Sequence, residues 1–400
     1  MKYRLVGMAV LMGSLAGIST AQAGGFSRGN ANLDPLYGNS QFGFYASGTY
    51  VAPGRSYSNA SGLIISGGAP TPFTQSNIGI TEDYFVPTLS VGGRIYGDLS
   101  CVGSYTQPYG AAASHTGDIA FHVAEQSLST NEFGLTCGYG FDVGKGRLSV
   151  IGGGFYETVS FSQSRDFSAA FPGMVVGESR VELTSNAWGY RFGLGYEIPE
   201  IAFKAQLMYR SQTNHDATGW YTNTPFALLS QNPFYGNLDT ASATASASLP
   251  QSLELNVQSG IAPGWLAFGS IKWTDWSVLQ RLQVVEGIGG QQFSTVRFFF
   301  SDGWTVTGGV GHRFTDKLGG MLSLTWDKGV TGGWDVLTDT WTIAAGAAYD
   351  VNENFQIRGG GAAIYFTEGV KNQTSSPIDY TAAAPGEWGF AFSLAGTLKF

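Results

Sequence analysis

Apolar and polar residues alternate along most of this chain with a period of two. The last segment, Glu387 to Phe400, shows it most fully. Trp388, Phe390, Phe392, Leu394 and Leu398 fall on one parity with Gly396, while Gly389, Ala391, Ser393, Ala395, Thr397 and Lys399 fall on the other. A strand throws alternate side chains to opposite faces, so one face is apolar and the other small or polar. The same dyad recurs where Trp188, Tyr190, Phe192, Leu194 and Tyr196 alternate with Gly189, Arg191, Gly193, Gly195 and Glu197. Ile201, Phe203, Ala205, Leu207 and Tyr209 likewise alternate with Ala202, Lys204, Gln206, Met208 and Arg210. The pattern predicts strands near 40–55, 83–96, 99–110, 129–143, 147–162, 184–198, 201–216, 247–262, 265–283, 296–313, 319–329, 336–351, 355–368 and 387–400, about fourteen in all.

Connections alternate in length. Short turns rich in Gly, Pro, Asn and Asp occur at Tyr96-Gly97-Asp98, Gly144-Lys145-Gly146, Pro199-Glu200, Pro263-Gly264, Thr315-Asp316-Lys317 and Asn352-Glu353-Asn354. Longer segments lie near 111–128, 163–183, 217–246 and 369–386. Short turns on one rim and long loops on the other, with an even strand count, are the arrangement of a transmembrane antiparallel β-barrel. The expected fold is therefore all-β, with residues 40–400 forming the barrel. Trp and Tyr near strand ends suit the aromatic girdles at the two membrane interfaces.

Composition agrees. Charged residues are 12%, about half the share of a soluble domain, yet the mean hydropathy is near zero. Alternating strands cancel apolar against polar, so a barrel sits at this middle value. Lys2 and Arg4, the apolar run from Leu5 to Ile18 and Ala21-Gln22-Ala23 read as a signal peptide over residues 1–23. The apolar run is shorter than the ~20 residues a spanning helix needs. Removing Lys2 and Arg4 takes the net charge from −8 to −10, which disfavours a nucleic-acid partner. A terminal Phe400 on an alternating strand resembles the assembly signal of bacterial outer-membrane proteins. The expected setting is thus the bacterial outer membrane, with membrane lipid and the barrel-assembly machinery as partners.

Candidate chemistry is sparse. The four histidines (His115, His122, His215, His312) are scattered, so neither metal nor cofactor is expected. Cys101 and Cys137 fall on strands expected to be neighbours; a disulfide is permitted in the exported compartment, and two free thiols are the alternative. Gly25-Phe26-Ser27-Arg28-Gly29 matches a G-x-S-x-G elbow but lacks the strand and helix that the elbow requires, so no enzyme is expected. The inward parity mixes Arg191, Lys204, Arg210, Lys272, Arg313 and Arg358 with Glu197, Glu254 and Asp327, and with apolar residues such as Leu266 and Phe268. Two loops are unusually apolar: one carries Phe167, Phe171, Met174 and Val176, the other Phe226, Leu228, Leu229 and Phe234. Apolar clusters in loops facing water point to a landing surface for a hydrophobic small molecule.

Leu249-Pro250-Gln251-Ser252-Leu253-Glu254-Leu255, then Trp265-Leu266-Ala267-Phe268 and Lys272-Trp273-Thr274-Asp275-Trp276-Ser277, resemble the matching strands of the long-chain fatty-acid transporter (FadL) family. Ser301-Asp302-Gly303-Trp304, Gln107-Pro108-Tyr109-Gly110 and the terminal strand add to the resemblance. It implies a monomeric 14-stranded barrel plugged by an N-terminal hatch, here residues 24–39, with Phe26 or Leu36 reaching the lumen. It further implies capture of ligand between the two apolar loops, a deeper pocket, and sideways exit near a bend in the third strand, here between Gly103 and Pro108. Residues 24–39 are shorter than the family's hatch and lack its Asn-Pro-Ala element. The positions that hold a cargo carboxylate in the family fall near Glu157-Thr158 and Ser301, and neither is basic. Arg297, Arg191 or Arg210 would have to substitute, and a neutral hydrocarbon or aromatic cargo stays open. The expectation is passive uptake of hydrophobic compounds; a porin for small polar solutes and a barrel without transport are the alternatives.

Overall fold

The computed structural model describes residues 25–37, 41–168, 178–223, 240–286, 292–331, 336–372 and 379–400. Fourteen antiparallel strands close into one barrel. They are β1 Gly43–Ala52, β2 Tyr84–Tyr96, β3 Leu99–Thr106 continued by Gly110–Ser114, β4 Glu125–Val143, β5 Gly146–Asp166 and β6 Glu178–Ile198. Next come β7 Phe203–Arg210 with Thr213–Asn223, β8 Thr240–Leu249 with Ser252–Ala262, β9 Trp265–Thr274 with Arg281–Glu286, and β10 Gln292–Arg297 with Gly303–Arg313. The circuit ends with β11 Leu318–Asp327, β12 Thr340–Asp350, β13 Phe355–Phe366 and β14 Glu387–Lys399. β14 pairs with β1 from Gly43↔Lys399 to Ala52↔Phe390, so the sheet has no free edge. Among the described residues no helix is long and apolar enough to cross a membrane.

Sequence parity decides which face meets lipid. On β14, Trp388, Phe390, Phe392 and Leu394 point outward, the last two 62% and 66% exposed. Such a row would aggregate in water and belongs in hydrocarbon. On β6 the outward row runs Trp188, Tyr190, Phe192, Leu194, Tyr196 and turns polar above Trp188, at Asn186, Thr184 and Glu182. The same change appears on the upper parts of β7 and β8, where Asn214 and Asp216 accept hydrogen bonds from Ser248 and Ser246. The wall therefore rises beyond the lipid band on this side.

The loop expectations undershot this rise. The segment expected as loop over 217–246 is strand to Asn223 and again from Thr240; that over 163–183 is strand to Asp166 and again from Glu178. A further sheet caps the same rim: Asn59–Ser66 and Ala69–Gln75 form a hairpin, and Gly369–Asn372 and Tyr380–Ala384 add to it. Tyr57, Ile64, Phe73, Ile119, Phe121 and Tyr380 form its core. Residues 1–24, expected to hold the signal peptide, lie outside the described residues.

Packing inside the wall is tight where glycine faces an aromatic. A Cβ on Gly189 would lie 2.1 Å from Cζ of Phe155, whose ring is fully buried. Gly189→Ala should therefore destabilise the barrel by ~1–3 kcal/mol, the cost of overpacking. The midpoint of its heat-induced shift from the folded to the unfolded electrophoretic form is the measurement.

Candidate functional site: the lumen, its arm and a gap in the wall

β3 is broken at Gln107–Tyr109. Pro108 has no N–H to give a ladder. Tyr109 turns into the lumen, and Thr130 replaces the lost ladder: its Oγ1 accepts from Tyr109 N at 2.9 Å and donates to Tyr109 O at 2.8 Å. The β2–β3 ladder stops at Thr88↔Thr106. Above it, Tyr84–Pro87 pair with β1 but with no β3 residue in a described ladder, until Glu82 N donates to Ala112 O at 3.1 Å. The wall thus carries a gap between 84–87 and 107–111.

Residues 25–37 run down the lumen past this gap. Phe26 sits edge-on to Trp276, Phe298 and Phe300, with ring centroids 5.8, 5.6 and 5.3 Å away. Ser27 bridges Tyr109; Arg28 N donates to Pro108 O at 2.8 Å, and Gly110 N donates to Phe26 O at 2.8 Å. The arm thereby takes up backbone groups that the break leaves unpaired. Gly29 permits the close approach, since a Cβ there would meet Val86 at 2.9 Å. Lower down, Lys272 Nζ donates to Asn30 Oδ1, Ser90 Oγ to Asn32 O and Gln206 Nε2 to the Tyr37 hydroxyl, while Lys204 rests 3.6 Å over the Tyr37 ring.

The arm separates two cavities. The upper one, about 580 Å³, is lined by Phe26, Tyr84, Phe121, Phe298 and Phe366 together with Arg28, Arg55, Arg165, Arg297 and Lys371. The lower one, about 310 Å³, is polar, with Glu132, Arg191, Lys204, Arg210, Glu254 and Lys272 on its walls. A buried ion cluster forms part of the wall of the lower cavity. Arg191 and Arg210 both pair with Glu132, and Arg210 also pairs with Glu157; the Arg210 to Glu132 contact is 3.0 Å. Thr213 Oγ1 donates to Glu157 at 3.1 Å, and His215 Nε2 lies 3.3 Å from it. Both guanidiniums sit over the Phe155 ring. Glu132 and Glu157 are 3% and 0% exposed, so pairing is what makes their charge tolerable.

The sequence-chosen residues therefore separate. Arg297 and Phe26 meet at the upper cavity. Arg191 and Arg210 are committed to Glu132 and Glu157 below it. Phe167 packs on Phe121 at the rim, centroids 5.4 Å apart. Phe171, Met174, Val176, Phe226, Leu228, Leu229 and Phe234 lie outside the described residues. Leu36 closes the Asp34–Leu36 turn at the lower end of the arm. Gly103 stays in regular ladder with Val91 and Leu135, while Pro108 is in the break itself. Cys101 and Cys137 face each other in register and are joined by a disulfide. Sequence reasoning missed Glu132, Arg55 and Arg165, and read Glu157 only as a missing base.

His122, in the loop above β3, shows how dry the cap is. Its Nε2–H donates to Leu63 O at 3.1 Å and its ring packs on Tyr380, 4.9 Å between centroids. Burial, aided by the Arg165 guanidinium, pushes its imidazole from 6.5 down to about 4. The unfolded form takes its proton first as pH falls, so cap stability should be lost between about 6.5 and about 4. Limited proteolysis of 59–75 across that range should show the loss, and His122→Gln should flatten it.

Fold and lumen define a class: an outer-membrane β-barrel whose bore is occupied by its own N-terminal arm and whose wall is open beside it. The family model described as outer membrane protein transport protein (OMPP1/FadL/TodX) matches residues 46–320, and the chain belongs to that family. A long-chain fatty acid transport protein of Salmonella typhi is 23% identical over 283 residues, 62% of this chain and 64% of the relative, so the match spans less than two thirds of that protein. Among solved structures, a Pseudomonas aeruginosa FadL homologue superposes with a TM-score of 0.74 at 14% identity, covering 93% of each chain. The Ralstonia pickettii toluene transporter TbuX gives 0.61 at 13% identity, covering 95% of this chain and 97% of its own. At such identities the likeness is one of fold.

Proposed function

We propose that the protein carries hydrophobic compounds passively across the outer membrane. In this reading, cargo collects at the apolar outer loops, settles in the upper cavity and leaves sideways through the gap at Gln107–Tyr109. The observation that carries it is the placement of a cavity of about 580 Å³, lined in part by Phe26, Tyr84, Phe121, Phe298 and Phe366, directly beside that gap, with the arm beneath. The volume lies in the range of ordinary small-molecule sites. Cargo leaving by the gap never crosses the charged cluster of Glu132, Glu157, Arg191 and Arg210 below, which an apolar molecule would have to desolvate. The family and the relatives named above support the coarse reading, since two are described as transporters of a fatty acid and of toluene. In cells lacking other hydrophobic-uptake barrels, expression should speed uptake of the apolar dye N-phenylnaphthylamine and leave uptake of a small sugar unchanged. Faster sugar uptake with no change for the dye would overturn the proposal.

A further inference from the structure

Arg28 spans the wall gap. Its guanidinium carbon lies 4.0 Å from the Tyr84 ring centroid, on the β2 edge. On the β3 edge it lies flat against Gly110, whose Cβ, were there one, would fall 2.6 Å from Nη1. Its Nε is buried with no hydrogen-bond partner, and it lines both cavities. A cation held by an aromatic face alone is weakly satisfied compared with one on a carboxylate. The upper cavity has five basic side chains against the two carboxylates Glu82 and Asp379, within a chain of net charge −8. Arg55 is already spent on Val336 O, Thr367 O and the Thr338 hydroxyl. The cavity is thus a cationic pocket in an acidic protein, with the Arg28 guanidinium lying across its side door.

We propose that Arg28 is an anion-responsive latch. An amphiphile with an anionic head enters the upper cavity, its head draws the guanidinium off Tyr84 and Gly110, and the Phe26–Gly29 segment loosens so that the tail can pass through the gap. This rests on the uptake reading above and adds that cargo charge operates the door. The basic residue that serves the carboxylate then comes from the arm and not from the barrel wall at Glu157 or Ser301.

The test compares dodecanoate with 1-dodecanol, at a pH where the carboxylate is ionised, on the full mature chain in lipid nanodiscs. Binding and amide exchange at Gly29 and Gly110 are both read. The wild type should favour the anion by ~10-fold or more, the strength of one charge-assisted hydrogen bond. Arg28→Met should bring the ratio close to one, and Arg28→Lys should keep part of the preference. Dodecanoate, and not dodecanol, should speed exchange at the two glycines in the wild type. An unchanged ratio in Arg28→Met, or equal acceleration by both probes, overturns the latch while leaving uptake intact. Failure of both probes to bind overturns the uptake reading as well.

Discussion

Replacing Arg210 by methionine should cost the barrel about 3–5 kcal/mol, the usual penalty for stripping one partner from a buried ion pair. Arg210 is the hinge of the lumen cluster: it pairs with Glu132 and Glu157 and donates to the Tyr109 hydroxyl at 3.2 Å. Its loss leaves Glu157, fully buried, with only Thr213 and His215 beside it. The double change Arg210→Met with Glu157→Gln removes one charge of each sign and leaves the Arg191–Glu132 pair whole. It should regain most of the stability, because a matched removal leaves no orphaned charge. Urea unfolding of the three proteins in the same detergent measures both differences. Equal losses in the single and double variants would show that charge balance is not what the cluster supplies.

Phe26→Ala should free the arm without unfolding the wall. The ring fills a space bounded by Trp276, Phe298 and Phe300, while the arm's remaining hold near the gap is a few backbone hydrogen bonds and the Arg28 guanidinium against Tyr84. Truncating a packed phenylalanine costs ~3 kcal/mol at the low end of the range, suited to a ring that keeps some exposure. At 1.4 kcal/mol per tenfold, exchange of the Arg28 and Gly110 amides should accelerate on the order of 10²-fold. Amides in the middle of β13 and β14 should not change. Acceleration across the whole barrel would mean that the arm is part of the fold's core and not a separate element.

Lipid made much of this architecture readable. A strand in hydrocarbon must be apolar at every second position, so Trp188 to Tyr196 and Trp388 to Leu398 announced their outward faces without any partner. Above the lipid that demand ends. The cap strands Asn59–Ser66 and Tyr380–Ala384 meet protein or water on both faces, and no dyad marks them. The upper part of β8, Thr240–Leu249, alternates Thr, Ser and Ala, a pattern too flat to separate from loop. The break in β3 was expected from the family resemblance, and Pro108, which cannot extend a ladder, is its physical reason. The ion cluster was not, because Glu132, Glu157, Arg191 and Arg210 come from four strands and meet only through their register. Arg191 and Arg210 were found by parity, but their carboxylate partners showed only in three dimensions. Arg28 escaped because its residues lie in an irregular arm that has no parity to read.

The most direct test of the account is single-channel conductance of the mature barrel in a planar bilayer, with and without the arm residues 25–37. The account predicts that the intact barrel is silent to small ions and that the barrel without the arm shows steady steps. A large steady conductance from the intact barrel would contradict it and point to a polar pore.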